Sequence, residues 1–171
     1  MTSIIVTNRG NNGDITKKED FTPEKLKTID DLGYIFIPFW SYYIPPEIYE
    51  NWECVIFHMT DLANSYGRGG SPLQNLIIRG HKNTMISAIR CVKEIDAGPV
   101  YHQWPLNISK GSADQIYDEA DRIISQIMIP DILMYKRKPV PQKGEPVFFE
   151  KWKCSVDDVL RAISTDYEFE T

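Results

Sequence analysis

Cysteine is scarce in this chain of 171 residues: Cys54, Cys91 and Cys154 stand far apart and form no C-x-x-C pair. An odd, unclustered set argues against a disulfide framework and suggests reduced thiols in a cytoplasmic compartment. Histidine is equally sparse. His81 and His102 have no clustered ligand partners, so no metal site is expected. Basic excess is missing too: 19 Lys and Arg face 24 Asp and Glu, a formal charge of -5. That balance argues against a general nucleic-acid binder, which needs a basic stripe to neutralise phosphates, although Lys136-Arg137-Lys138 forms a local patch. No apolar run approaches the length of a bilayer span, and no basic-then-apolar leader opens the chain. Repeats and low-complexity tracts are absent.

What is present is ordinary for a globular chain: 42% hydrophobic and 25% charged residues. One domain over 1–171 is expected, with 139–171 as a C-terminal extension that begins in a Pro/Gly linker. Apolar runs predict strands over 3–6, 34–37, 55–58, 85–89 and 100–108, with a short strand or edge over 146–149. The segment 8–20 reads as loop. Helices are expected over 22–29, 46–52 and 72–79, then from Ser112, whose capping box with Gln115 precedes an apolar face of Ile116, Ala120, Ile123, Ile124 and Ile127. Pro130 should kink or end that helix. A closing helix over 155–163 is capped by Ser155. This order argues for an α/β domain with a mixed or mainly parallel sheet.

The chain is organised around 54–74. Val55-Ile56-Phe57 ends on His58, a polar loop follows, and Arg68-Gly69-Gly70 leads into Ser71-Pro72, a helix start. A histidine at a strand's carboxyl end sits where open α/β sheets bind ligands, and it can act as general acid or base or steady an oxyanion. Asp96, before Ala97-Gly98-Pro99, either bonds its own turn or orients His58. The Arg68–Pro72 stretch is either a tight turn or an anion site. Trp40, Tyr42 and Tyr43, in a proline-bounded loop, either fill the core or stack on a flat heterocycle.

Together these pieces resemble the N10-formyltetrahydrofolate-dependent formyltransferase family, which includes methionyl-tRNA, glycinamide ribonucleotide and sugar N-formyltransferases. Its signature is Asn-x-His at a strand end, Gly-x-x-Pro-x-Gln at the next helix, and a later Asp-x-Gly-Pro-Val run. Here His58, then Gly69-Gly70-Ser71-Pro72-Leu73-Gln74, then Asp96-Ala97-Gly98-Pro99-Val100 follow in that order. The loop 39–45 resembles the family's pterin-holding loop, and Pro141-Gln142-Lys143-Gly144-Glu145 a segment that follows the catalytic core in longer members. The similarity spans roughly 35–149.

The resemblance implies a three-layer, Rossmann-like fold with a mainly parallel mixed sheet, shortened at the N-terminus. It implies His58 and Asp96 as catalytic residues, and Trp40, Tyr42, Tyr43, Lys93, Glu94 and Ile95 around N10-formyltetrahydrofolate as co-substrate. Arg68, Gly69, Gly70 and Gln74 would face the acceptor, an amine on a nucleotide-linked amino sugar, and a homodimer is allowed. Ile56 stands where the family has asparagine, so Thr60, Asn64 or Asn75 would have to supply the missing donor. The same departure leaves two alternatives, a folate- or nucleotide-sugar-binding homologue without activity and a formyl-folate hydrolase.

Overall fold

The computed structural model describes residues 1–10 and 12–170, with no side chain described over 165–170. Asn11, in the expected 8–20 loop, and Thr171, at the end of the expected extension, lie outside these residues. In chain order the elements are β1 (Thr2–Ile5), α1 (Pro23–Leu26), β2 (Leu32–Ile37), α2 (Pro46–Tyr49), β3 (Glu53–His58), β4 (Tyr66–Gly69), α3 (Pro72–Ile78), β5 (Asn83–Arg90) and β6 (Val100–Asn107). Then come α4 (Ala113–Ile123), a π-helical stretch (Ile124–Met128), α5 (Ile129–Tyr135), β7 (Val147–Phe149) and α6 (Val156–Glu170).

The main sheet runs β1-β2-β3-β5-β6. β1, β2, β3 and β6 point the same way, while β5 pairs antiparallel with both of its neighbours. The strand alternation explains the three layers. On β2, Ile35 and Ile37 face a core holding Leu26 of α1 and Ile48 of α2. Phe36 between them faces the opposite core, with Ile116, Ala120, Ile123 and Ile132 of the long helix. Period two in the strand and period 3.6 in the helix meet across that face.

Pro130 does not end the helix. The helix runs on from Ala113 to Tyr135 through the π-helical stretch just before the proline, where the Ile129 N–H reaches back to the Ile124 carbonyl. A five-residue bond moves the ladder out of step with the proline, so the helix absorbs a residue that would otherwise break its bonding. The same shift buries two consecutive isoleucines, Ile123 and Ile124.

β4, which the sequence reads as part of a loop and turn, pairs parallel with β7 in a separate two-stranded sheet. The C-terminal extension is therefore bound to the domain by β7 and by α6, which packs on α3. Ser155 caps α6 reciprocally: its Oγ accepts from the Asp158 N–H at 3.1 Å, and the Asp158 carboxylate accepts from the Ser155 N–H at 3.2 Å. The helix continues past the expected end at 163.

Phe36, fully buried at 0% exposure, joins the sheet to the long helix. Phe36→Ala should cost about 3–5 kcal/mol, the range for emptying a buried aromatic site. Urea denaturation monitored by circular dichroism checks this, with the midpoint falling and the slope unchanged.

Candidate active site

His58 is the last residue of β3 and pairs in register with Ser87 of β5. The chain leaving His58 is pinned from β5 and β6. Ser87 Oγ donates to the Thr60 carbonyl at 2.6 Å and accepts from Gln103 Nε2 at 2.9 Å, and Thr84 Oγ1 donates to the Met59 carbonyl at 3.1 Å. These partners have no sequence signature, since each is an isolated polar residue within a strand. They fix the exit angle of the backbone and so the imidazole.

Asp96 sits in the loop after β5, at a φ of 52°. Left-handed backbone is tolerated by aspartate better than by most residues, and it persists where surrounding contacts hold it. Here the contacts are present. The Gly69 N–H donates to Asp96 Oδ2 at 2.8 Å, and the same oxygen lies 3.5 Å from His58 Nε2. His58 Nε2 also lies 2.9 Å from the Gly67 carbonyl. Both neighbours of Nε2 are acceptors, so the hydrogen belongs on Nε2 and the lone pair of the neutral ring on Nδ1. The two side chains are 14% and 11% exposed, dry enough for the pair to act at short range yet open to a ligand.

Two glycines make this arrangement possible. Gly67 has φ 82° and Gly69 φ 105°, where side chains are strained, and a Cβ on either would stand 2.5 Å from Thr60 Cγ2 or the Phe149 carbonyl. Glycine lets the Gly67 carbonyl and the Gly69 amide turn toward the dyad from one short strand.

The dyad opens into a cavity of about 480 Å³. Trp40, Tyr42, Tyr43, Phe39 and Tyr49 form an aromatic wall, with Ile56 and Ile124 among the aliphatic lining. Trp40 is held edge-on by Phe21 at 5.7 Å and Tyr42 at 5.2 Å, while Tyr43 is 79% exposed, at the mouth. Lys93 and Ile95 line the cavity; Glu94 is exposed and outside the lining. Cys91 also lines it, its thiol pushed up to about 11 by burial and then by the Asp96 carboxylate. It is a neutral part of the wall. The wall from α2 and the π-helical turn was missed from the sequence, because Ile124 reads there as part of a helix's apolar face and Tyr49 lies unmarked within the short helix expected over 46–52.

The residues expected around the acceptor are placed differently. Arg68 donates from Nε and a terminal nitrogen to Gln142 Oε1 at 3.1 and 2.9 Å. Gln74 Nε2 donates to the Cys154 carbonyl at 3.1 Å, and Gly70 packs against Lys151. The start of α3 is closed by the chain's own extension, where Ser71 Oγ accepts from the Trp152 N–H at 2.8 Å. Gly69 alone of the four reaches the dyad, through its amide. An open helix start in sequence is covered in space, because 150–154 returns over it.

The three expected replacements for the family asparagine are likewise engaged elsewhere. Thr60 Oγ1 donates to the Gly67 carbonyl at 3.0 Å, and Asn64 Nδ2 to the Asp61 carboxylate at 2.7 Å. Asn75 Nδ2 is shared among the Gly70, Ser71 and Glu150 carbonyls. None of them lines the cavity. Among the described residues no group of three His, Cys, Asp or Glu could hold a metal ion, and no helix is long and apolar enough to cross a membrane.

An α/β domain with a His–Asp pair at a strand end, facing an aromatic cavity, defines an acid–base site beside an aromatic cleft. Comparison with known proteins gives the family. No family model matches. A methionyl-tRNA formyltransferase from Clostridium thermocellum is 40% identical and superposes with a TM-score of 0.83, covering 95% of this chain and 79% of the other. A methionyl-tRNA formyltransferase from Malacoplasma penetrans is 27% identical over 150 residues, 81% of this chain and 46% of the relative. The fold is shared by the formyltransferase PseJ from Anoxybacillus kamchatkensis, solved with UDP-4,6-dideoxy-4-formamido-L-AltNAc and tetrahydrofolate, at 15% identity and a TM-score of 0.66 over 95% of this chain and 90% of that one. The chain belongs to the folate-dependent formyltransferase family. It spans less than half the length of the curated relatives it matches, 46%, 30% and 37% of the first three.

The buried thiol gives a direct check on the cavity. Near neutral pH a thiol held at about 11 is almost wholly protonated, so iodoacetamide should label Cys154, which is part exposed, well before Cys91. Peptide mass mapping over time reads the order.

Proposed function

We propose that the chain is an N-formyltransferase that moves a formyl group from N10-formyltetrahydrofolate to an amine. The observation that carries this reading is the His58–Asp96 pair, 3.5 Å apart, opening onto the aromatic cavity. Trp40, Tyr42 and Tyr43 would sandwich the pteridine, with Lys93 and Ile95 at its edge.

The chemistry follows from the tautomer. The acceptor nitrogen attacks the formyl carbon, and a tetrahedral oxyanion forms. His58 Nδ1 takes the proton that the attacking amine must lose and returns it to N10. The C–N10 bond then breaks, giving a formamide and tetrahydrofolate. Asp96 and the Gly67 carbonyl keep Nε2–H in place throughout and favour the imidazolium that forms between the two transfers. Ile56, in the cavity wall two residues before His58, offers no donor to the oxyanion. Nδ1–H of the imidazolium is one donor for it, and the Nε1–H of Trp40, unpartnered among the described residues, lies in the same cavity wall.

For the acceptor we favour an amine on a nucleotide-linked amino sugar. Support comes from the formal charge of -5, unfavourable for gripping a polyanion, and from the shared fold with a sugar formyltransferase. The 40% identity to a methionyl-tRNA formyltransferase favours a second reading, the amino group of an aminoacylated tRNA. A reducing, cytoplasmic setting is part of the same proposal, supported by three free thiols.

Tetrahydrofolate release, followed with no acceptor, with amino-sugar nucleotides and with aminoacylated tRNA, tests these readings. Release that depends on an amino-sugar nucleotide is expected. Release only with the tRNA selects the second acceptor, acceptor-independent release means a hydrolase, and folate binding with no release means a binding protein. In the active reaction, His58→Ala and Asp96→Asn should each lower turnover by about 100- to 10,000-fold, the usual contribution of a positioned acid–base group, with the melting temperature unchanged. Ile56→Asn should raise turnover, toward the roughly 100-fold worth of one oxyanion donor, without changing folate affinity. Turnover unmoved by all three variants places the chemistry elsewhere.

A further inference from the structure

We infer that Gln142, in the segment between α5 and β7, is a positioning residue of the active site: it clamps the Asp96 loop to β4 and so sets where the carboxylate meets His58. Its amide is fully used. One Nε2 hydrogen goes to the Asp96 carbonyl at 2.7 Å and the other to the Gly98 carbonyl at 2.9 Å. Oε1 accepts from Arg68 Nε at 3.1 Å and from an Arg68 terminal nitrogen at 2.9 Å. An amide side chain has two donors and two acceptor lone pairs, and all four are engaged here.

The anchors are the ones the dyad depends on. Arg68 lies between Gly67, whose carbonyl meets His58, and Gly69, whose amide meets Asp96. Asp96 itself is held at φ 52°, a backbone that persists only where its surroundings define it. Gln142 bonds the carbonyl of that same residue. The segment carrying it is fixed on both sides, by a two-way bond between Val140 and Val100 at 2.7 and 2.8 Å, and by the Lys143 carbonyl accepting from Ser65 Oγ at 2.8 Å. Arg68 also donates to that Ser65 Oγ, at 3.3 Å, which closes the ring of contacts. The role is side-chain specific. Asparagine is one methylene short of both carbonyls, and glutamate would keep the acceptor for Arg68 while presenting an oxygen to two carbonyl oxygens.

The kinetic half of this inference rests on the formyl-transfer reading; the structural half does not. The Gly69 amide reports the position of the Asp96 carboxylate without any reaction, so its hydrogen exchange is followed by NMR in the full chain. Gln142→Glu retains the Arg68 pair and replaces the two donors with an oxygen, and Gln142→Met is close in shape and lacks both kinds of group. In both variants Gly69 exchange should accelerate toward the level of Asp96→Ala, while amides in the middle of β3 and β5 keep their protection. Turnover should fall by about 100-fold, the scale of a 1 Å misplacement of a reacting group, with KM for the formyl donor within twofold, since the aromatic wall is untouched. Gly69 exchange unchanged from the parent chain overturns the inference, as does accelerated exchange with parental turnover. If the parent chain transfers no formyl group, the functional reading fails by itself, and Gly69 exchange still decides whether Gln142 holds Asp96.

Discussion

Two acceptors converge on one nitrogen. The Gly67 carbonyl at 2.9 Å and the Asp96 carboxylate at 3.5 Å both face His58 Nε2, and this fixes which side of the imidazole carries a hydrogen and which is open to a substrate. Much of the local architecture serves that convergence. Ser87 and Thr84 hold the chain as it leaves β3, the glycines of β4 bring a carbonyl and an amide inward at positive φ, and Arg68 and Gln142 tie the Asp96 loop to the same strand. Pre-set donors and acceptors need no rearrangement when charge develops, which is the largest single source of catalytic stabilisation in sites of this type.

The cavity supplies what the dyad lacks. A pair of polar side chains in a strand-end cleft defines no substrate, and the aromatic wall of Trp40, Tyr42 and Tyr43 is what the proposed function rests on for a flat, apolar-faced ligand. Ile56 marks the difference from the family pattern. In the proposed reaction, an aliphatic side chain stands where an amide would donate, which gives the His58–Asp96 pair a larger share of the oxyanion's stabilisation.

The fold was legible where one residue's pattern decides one element's state. The alternation at Ile35, Phe36 and Ile37 and the helical spacing from Ile116 to Ile123 each translate directly into a layer of the domain. His58 and Asp96 were legible because a strand end and a turn are local events. What escaped the sequence depends on distant partners. β4 exists only because β7 returns to pair with it, Pro130 is tolerated only because a π-helical turn precedes it, and the start of α3 is closed only because 150–154 passes over it. Arg68 and Gln74 therefore looked free for an acceptor and are not. Gln142, 46 residues from Asp96 in a Pro/Gly linker, carries no local sign of its contacts.

The central claim is that the dyad and the aromatic cavity form one site, with Nδ1 of His58 facing the formyl group. A structure of the chain with a bound reduced folate tests it most directly. The account predicts the pteridine against Trp40 and Tyr42 and the N10 end within about 3–3.5 Å of His58 Nδ1, the separation of a near-attack arrangement. A folate bound outside this cavity, or one whose N10 end points away from His58, would contradict it.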